Sequence, residues 1–280
     1  MTQLAESNSS GGRVKHVLRW RLVTAPAYPQ PRSLLAGKTV LVTAAAGTGI
    51  GLATAKRCLE EGARVVISDV HERRLAQAAE ALSGLSPEPV LGVRCDVTQE
   101  AEVQHLIDTA ARALGSIDVL INNAGLGGTA NLVDMSDEQW SRVLDVSLTG
   151  TFRMTRAALR AMLPQGRGVI INNASVLGWR AQAGQAHYAA AKAGVMALTR
   201  CVAMEVAGSG IRVNAVAPSL ATHPFLTKVM SEELLEELTN REAMGRGAEP
   251  WEVANVIVFL ASDLASYLTG EVISVSSQHP

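Results

Sequence analysis

Tyr188 and Lys192, separated by three alanines, stand at a spacing that puts a phenol and an ammonium one turn apart on the same helix face. A free tyrosine ionises at about pH 10. A cation held beside it favours the phenolate and brings that value toward the range where proton transfer is efficient. Ser175 precedes them by thirteen residues, after an apolar run, Val169-Ile170-Ile171, that reads as a buried strand. The Tyr-x-x-x-Lys spacing also occurs on ordinary helix surfaces, so its weight depends on the elements that present it.

Those elements belong to a chain of 280 residues, near the upper end for one domain and well able to bury a core. A net charge of −1 gives no electrostatic case for nucleic acid. Cys58, Cys95 and Cys201 are odd in number, widely spaced and without His at ligand spacing. That usage suits a reducing, cytoplasmic setting and argues against disulfides and against a metal site. No apolar run approaches the ~20 residues of a membrane span. Residues 1–33 differ in character: Arg13, Lys15, Arg19, Arg21 and Arg32 face one acid, Glu6, with Pro26, Pro29 and Pro31 behind them. Arg19 and Arg21 interrupt the apolar core that a signal peptide needs. The reading is a flexible extension over 1–33 and one domain over 34–280.

From Leu34 onward strands and helices alternate. Lys38–Thr43 reads as a strand, the glycine-rich turn Gly47-Thr48-Gly49-Ile50-Gly51 follows, and a helical pattern closes at Gly62. A second β run ends in Asp69, 18 residues beyond Gly51. Glycines there let the backbone approach a pyrophosphate held on a helix N-terminus, and a carboxylate at that distance can bond an adenosine ribose 2′-hydroxyl. Asp69 would repel a 2′-phosphate, so NAD is favoured over NADP, with Arg73 and Arg74 nearby as a weak counterweight. Further strands are expected over Val90–Asp96, Asp118–Asn122, Gly168–Ala174, Ile211–Val216 and Glu271–Ser276, and helices over Glu100–Leu114, His187–Val206 and Trp251–Ala261. Ser136 and Gln139 form a capping box that opens a long helix, on which Trp140, Val143, Leu144, Ser147 and Thr151 share an inward stripe. This is an α/β chain: a single doubly wound parallel sheet of Rossmann type. Ligands bind beyond the carboxyl ends of such strands, where the glycine turn, Asp69, Asp96, Asn123, Ser175 and Pro218 all collect.

With these residues in place the chain, from about Leu34 to its end, resembles the short-chain dehydrogenase/reductase family. The resemblance rests on the glycine turn, Asp96-Val97, Asn122-Asn123-Ala124-Gly125, Ser175, Tyr188-x-x-x-Lys192 and the run from Arg212 to Pro218. It implies a nicotinamide cofactor and a homotetramer. It makes Tyr188 the general acid/base and Ser175 the holder of the substrate oxygen. Lys192 would bind the nicotinamide ribose and depress the Tyr188 pKa. Asp96 and Val97 would flank the adenine, and Asn123, Ala124, Gly125 and Pro218 would line the cofactor.

Four departures stand out. The turn Thr43-Ala44-Ala45-Ala46-Gly47 is one residue longer than the family's and has Ala for its first Gly. Ser147 occupies the place of an Asn that positions a relay water; its hydroxyl is the candidate replacement. Pro218 is followed by Ser219 rather than Gly, and His223 aligns with a Thr, so it is a candidate contact to the carboxamide or the substrate. The chain ends Ser276-Ser277-Gln278-His279-Pro280 instead of carrying an Asp-Gly-Gly. The segments AAAGTGIG, NNASVLGWRAQ and TGEVISVSSQHP are similar to a group of actinobacterial dehydrogenases of steroid ring breakdown. That similarity implies a ring hydroxyl of a hydroindanone with a propanoyl-CoA arm as substrate, and residues 219–246 as the substrate lid, with Leu220, Phe225, Leu226, Val229 and Met230 apolar. Arg180 is a candidate for an anionic or carbonyl group. Two other readings remain: a 3-oxoacyl thioester reductase, where Arg rather than Asp69 is more usual, and a non-catalytic dinucleotide-binding protein. Intact Ser175, Tyr188 and Lys192 argue against the second.

Overall fold

The computed structural model describes residues 24–222, 226 and 232–278. Its strands are β1 (Thr39–Val42), β2 (Arg64–Asp69), β3 (Leu91–Arg94), β4 (Val119–Asn122), β5 (Gly168–Asn173), β6 (Ile211–Pro218) and β7 (Val272–Val275). Its helices are α1 (Ile50–Glu60), α2 (Glu72–Ser83), α3 (Glu100–Leu114), α4 (Asp137–Leu144), α5 (Gly150–Met162), α6 (Ala186–Val206), α7 (Glu232–Asn240) and α8 (Pro250–Ala261). The strands form one sheet in the order β3-β2-β1-β4-β5-β6-β7, every pair parallel. All residues of β1 and β4 are buried, as expected where helices cover both faces. One core joins Val40, Val42 and Ile121 to α1 and α8; the other joins Leu41, Leu120 and Ile170 to α3, α5 and α6. Burying each such aliphatic side chain contributes about 1.5–3 kcal/mol.

The order reverses between β1 and β4, which opens the crevice where ligands of such sheets lie. It also divides the sheet. Asp69 and Asp96 belong to the β1-β2-β3 half, and Ser175 and the C-terminal tail to the β5-β6-β7 half. A buried polar ladder then sets α6 against β5. In register, Asn122 lies opposite Asn172. Asn122 Nδ2 donates to Asn172 Oδ1 (2.9 Å) and to Thr155 Oγ1 of α5 (3.0 Å), and Asn172 Nδ2 donates to Thr199 Oγ1 of α6 (2.9 Å). Directional bonds in a buried setting fix one axial position of α6 on the sheet, which greasy contacts alone do not.

Three expectations change. The single long helix after Ser136 is broken by a π turn over Asp145–Thr149, while its capping box forms as read. Trp140 lies on the exposed side rather than on the inward stripe; Val143, Ser147 and Thr151 are buried. The extension expected over 1–33 is docked at its end. Tyr28 meets Trp251 of α8 edge-on at 5.4 Å and donates to Glu60 Oε2 (2.6 Å). The buried Arg57–Glu61 pair presents Glu61 Oε2 to the N–H groups of Arg32 and Leu34. Residues 28–34 therefore pack against the domain, and residues 1–23 lie outside the described residues.

Candidate active site

Ser175 follows β5 and opens a one-turn 3-10 helix, Val176–Gly178. Its backbone is extended, and its Oγ accepts from Leu177 N at 3.2 Å, which leaves the hydroxyl proton to be donated elsewhere. Tyr188, half-buried on the first turn of α6, lies close enough to the Ser175 hydroxyl for that group to favour its ionised form. Lys192, one turn on, is 3% exposed. Its Nζ donates to the carbonyl of Asn173 at 2.6 Å and lies 5.5 Å from the centre of the Tyr188 ring. The structure thus brings Ser175, Tyr188 and Lys192 together at the carboxyl end of the sheet.

Their electrostatics differ from the expectation that Lys192 depresses the Tyr188 pKa. Burial pushes the Tyr188 phenol up, and only the nearby Ser175 hydroxyl opposes it. Burial also lowers the Lys192 ammonium, from 10.5 to about 8. The reason is placement: the ammonium sits over the ring and gives a proton to a neutral carbonyl, with no carboxylate to hold its charge. In this state the phenol keeps its proton at neutral pH, the form that protonates an oxyanion.

Ser147 is fully buried, and its hydroxyl is already committed. It accepts from Leu126 N (2.9 Å) and donates to Leu126 O (3.1 Å). Its one proton is therefore not available to a relay water. The residue instead ties the π turn to the irregular segment following β4, while its own carbonyl takes the Thr151 hydroxyl at 2.9 Å.

The glycine turn lies at the end of β1. Gly47 and Thr48 are exposed, Gly49 and Ile50 half-buried, and Gly49 caps α1 without any side-chain bond. The first N–H groups of α1 consequently remain open to an anion. A Cβ at Gly51 would lie 2.3 Å from the Ala44 carbonyl oxygen and 2.5 Å from Asn123 Nδ2, so only glycine permits this approach. The extra-residue turn is accommodated by Ala44, whose φ of 50° is left-handed, the conformation that a glycine would take without strain. Asp69, at the tip of β2, accepts from Ala46 N (3.2 Å) and His71 N (3.0 Å), and two carboxylate oxygens have capacity for a further donor. Burial raises its pKa, with the Ala46 bond and then Arg74 opposing. An uncapped helix end, a close glycine approach and a carboxylate at the next strand end fit a dinucleotide.

The remaining site residues divide by role. Asp96 Oδ1 is taken by the Thr98 amide (2.9 Å) and hydroxyl (2.8 Å), and Val97 is buried in the core against Gly150. Asn123 is a bridge: Nδ2 donates to Ala44 O (3.0 Å) and Oδ1 accepts from Asn173 (2.9 Å). Ala124 N donates to Thr43 Oγ1 at 3.1 Å, and Gly125 lies against Lys192 and Ser147. Pro218 ends β6, buried and in register with Val275. Sequence reasoning missed two hubs. Thr43 Oγ1 accepts the amides of both Asn123 and Ala124, and Asn173 seats Lys192. The adjacent Asn residues that end β4 and β5 were the available signal. Arg180 meets Gln278 of the tail and lines the open cleft described below. His223, Phe225, Val229 and Met230 lie outside the described residues. Among the described residues there is no cluster of three His, Cys, Asp or Glu that could hold a metal, and no helix is long and apolar enough to cross a membrane. An open cleft of about 730 Å³ lies against Ala189, Ala190 and Ala193 on another face of α6, and Ser175, Tyr188 and Lys192 do not line it.

Comparison with known proteins agrees with this geometry. The family described as enoyl-(acyl carrier protein) reductase matches residues 44–277. The chain is 63% identical over 261 residues, 92% of its length and 99% of the relative's, to (5R,7aS)-5-hydroxy-7a-methyl-1-oxo-2,3,5,6,7,7a-hexahydro-1H-indene-carboxyl-CoA reductase of Mycobacterium tuberculosis. It is 44% identical over 237 residues, 84% of its length and 94% of the relative's, to cis-4-hydroxycyclohexanecarboxylate dehydrogenase of Sinomonas cyclohexanicum. The crystal structure of a short chain dehydrogenase from Mycobacterium smegmatis superposes with a TM-score of 0.83 at 55% identity, covering 93% of this chain and 100% of that one.

Proposed function

The chain belongs to the short-chain dehydrogenase/reductase family, and on that premise we propose that it interconverts a ring secondary alcohol and its ketone on a steroid-derived hydroindanone carried as a CoA thioester. The observation that carries the chemistry is the grouping of Tyr188 with the Ser175 hydroxyl and with Lys192, whose Nζ lies 5.5 Å from the Tyr188 ring centre. The substrate class rests on the 63% identity to the hydroxy-hydroindanone carboxyl-CoA reductase, whose name carries a carboxyl-CoA where the sequence resemblance implied a propanoyl arm. The ring-alcohol dehydrogenase at 44% identity supports the same reacting group.

In reduction, the Tyr188 hydroxyl gives its proton to the carbonyl oxygen as charge develops there; in oxidation the phenolate takes the alcohol proton. Ser175, its own oxygen occupied by the Leu177 amide, donates to the same substrate oxygen and steadies its charge. Lys192 keeps two N–H donors after bonding Asn173, suited to the ribose hydroxyls of the cofactor. A nicotinamide dinucleotide, when bound, supplies the hydride donor or acceptor. The α1 N-terminus with Gly47, Thr48, Gly49, Ile50 and Gly51 would hold its pyrophosphate, Asp69 the adenosine ribose, Asp96 and Val97 the adenine, and Asn123, Ala124, Gly125 and Pro218 its remaining length. Asp69 favours NAD: a 2′-phosphate would bring two negative charges against a carboxylate that is already costly to bury. The 3-oxoacyl thioester reductase reading ranks second for the same reason. A cytoplasmic homotetramer completes the proposal.

The test is turnover of hydroindanone alcohols and ketones as CoA thioesters with NAD(H) and NADP(H), on wild type and Tyr188→Phe. The expected result is preference for NAD(H), and a variant that binds NADH normally while activity falls at least ~10²-fold. Equal turnover by Tyr188→Phe would overturn the acid/base role, and preference for NADPH would overturn the Asp69 assignment.

A further inference from the structure

We propose that Gln278 is a positioning residue for the substrate side of the site, acting through Arg180 on the turn that begins at Ser175. The inference rests on the ring-alcohol reading above. Gln278 lies between two charges. Its Oε1 and its backbone carbonyl accept from the Arg180 guanidinium, the latter at 3.1 Å. Its Nε2 donates to Glu242 Oε1 at 2.8 Å. A cation at the amide oxygen and an anion at the amide nitrogen hold the group in one orientation, since a flipped amide would meet both charges with the wrong end.

Glu242 is 4% exposed, and a carboxylate at such a depth needs its oxygens satisfied. Besides Gln278 it accepts from Ser277 Oγ (2.8 Å) and Leu220 N (3.3 Å). Ala243 N adds a bond to Ser277 O (3.1 Å), and Ser219 N one to Val275 O (3.2 Å). The tail therefore closes a loop that starts at the ends of β6 and β7 and finishes on Arg180.

From Arg180 the path to the chemistry is short. The Arg180 and Trp179 amides both bond Val176 O at 3.0 Å, Gly178 N bonds Ser175 O at 2.9 Å, and Leu177 N bonds Ser175 Oγ at 3.2 Å. The strand end anchors one side of this turn and Gln278 the other. Loosening the Gln278 side frees Leu177–Arg180 while Ser175 stays on its strand, so substrate affinity suffers more than the chemical step. The cofactor acids Asp69 and Asp96 lie on the far half of the sheet and should not respond.

Gln278→Met keeps the length of the side chain and removes both amide contacts. Steady-state kinetics with the ring ketone or alcohol, NADH titration, and hydrogen exchange of the full-length protein are measured together. The expected result is a KM raised about tenfold, kcat within twofold, an unchanged NADH Kd, and amide exchange over residues 176–184 faster by about tenfold. Arg180→Ala should give the same KM, and the double variant should be no worse than either single one. Unchanged exchange, faster exchange with unchanged KM, or a parallel loss of NADH affinity would each overturn the positioning role. If wild type turns over no ring alcohol, the functional reading fails by itself and hydrogen exchange alone decides whether Gln278 braces this turn.

Discussion

Replacing Lys192 with Met should stabilise the cofactor-free protein while abolishing activity. The depression of Lys192 from 10.5 to about 8 reflects the cost of burying an ammonium without a counter-charge, about 3 kcal/mol at neutral pH. Methionine fills similar volume with no such cost. Against the gain stands the 2.6 Å bond to Asn173 O. Leaving that carbonyl short of a partner costs about 1–3 kcal/mol. The net expectation is a gain of about 1 kcal/mol, or roughly 2–4 °C in midpoint for a chain of this size.

The pH dependence separates this account from a generic packing effect. Below pH 8 the lysine is charged in both folded and unfolded states, so wild type bears the full penalty. Between about 8 and 10.5 the unfolded state binds more protons, and wild-type stability rises with pH through this group. The advantage of Lys192→Met should therefore be largest at or below pH 8, vanish about one pH unit above that, and give way to a disadvantage as the lysine penalty fades toward pH 10.5. Titrating groups remote from Lys192 cancel in the difference. The assay is thermal unfolding of both proteins without cofactor, at one protein concentration, from pH 7 to 10. A variant less stable than wild type at pH 7, by an amount independent of pH, would refute the reasoning.

Three further outcomes are expected. Ala44→Gly should stabilise the protein by about 0.5–1 kcal/mol, because relief of a left-handed alanine outweighs the added freedom of the unfolded chain, and urea unfolding measures it. Ser147→Ala should lose about 1–3 kcal/mol through the two stranded Leu126 groups, yet leave the pKa values of the kcat profile in place; a shifted profile would restore Ser147 to proton transfer. Tyr28→Ala should cost about 1–2 kcal/mol by removing the Trp251 contact and the Glu60 bond, with kcat/KM unchanged, and a loss of turnover would tie this segment to the site.

The sequence made the strands legible where both faces are covered, because β1, β4 and β5 are continuous apolar runs with only their ends polar. Glu100–Leu114 was bounded as found, and α6 within one residue. Ser175, Tyr188 and Lys192 were legible because two lie at fixed helix spacing and the third ends a strand. The electrostatics were not. Spacing shows that Lys192 is near Tyr188, but not that its proton goes to Asn173 or that burial outweighs its charge. Trp140 was misplaced because spacing alone does not show that the first turns of α4 are little covered, with Val143 the one buried residue of that helix. Docking of Tyr28 was invisible because its partners, Glu60 and Trp251, lie 32 and more than 200 residues away and follow no period.

The same contrast runs across the sheet. On the β1-β2-β3 side, each candidate cofactor residue lies at the end of its own strand, so a local motif specifies both the residue and its place. On the β5-β6-β7 side, the turn after Ser175 is secured by residues from three distant parts of the chain: Arg180, Glu242 and Gln278. Each is unremarkable alone, and Glu242 in sequence resembles one more surface acid. Its burial is explained only when the tail supplies neutral donors and carries the Arg180 charge to it through one amide. A common dinucleotide can be held by shared local signals, whereas the walls around a particular ring alcohol must be set by long-range contacts. Within this fold, then, the residues that tune substrate choice should be sought in the tail and the two segments it joins, before the strand ends that name the family.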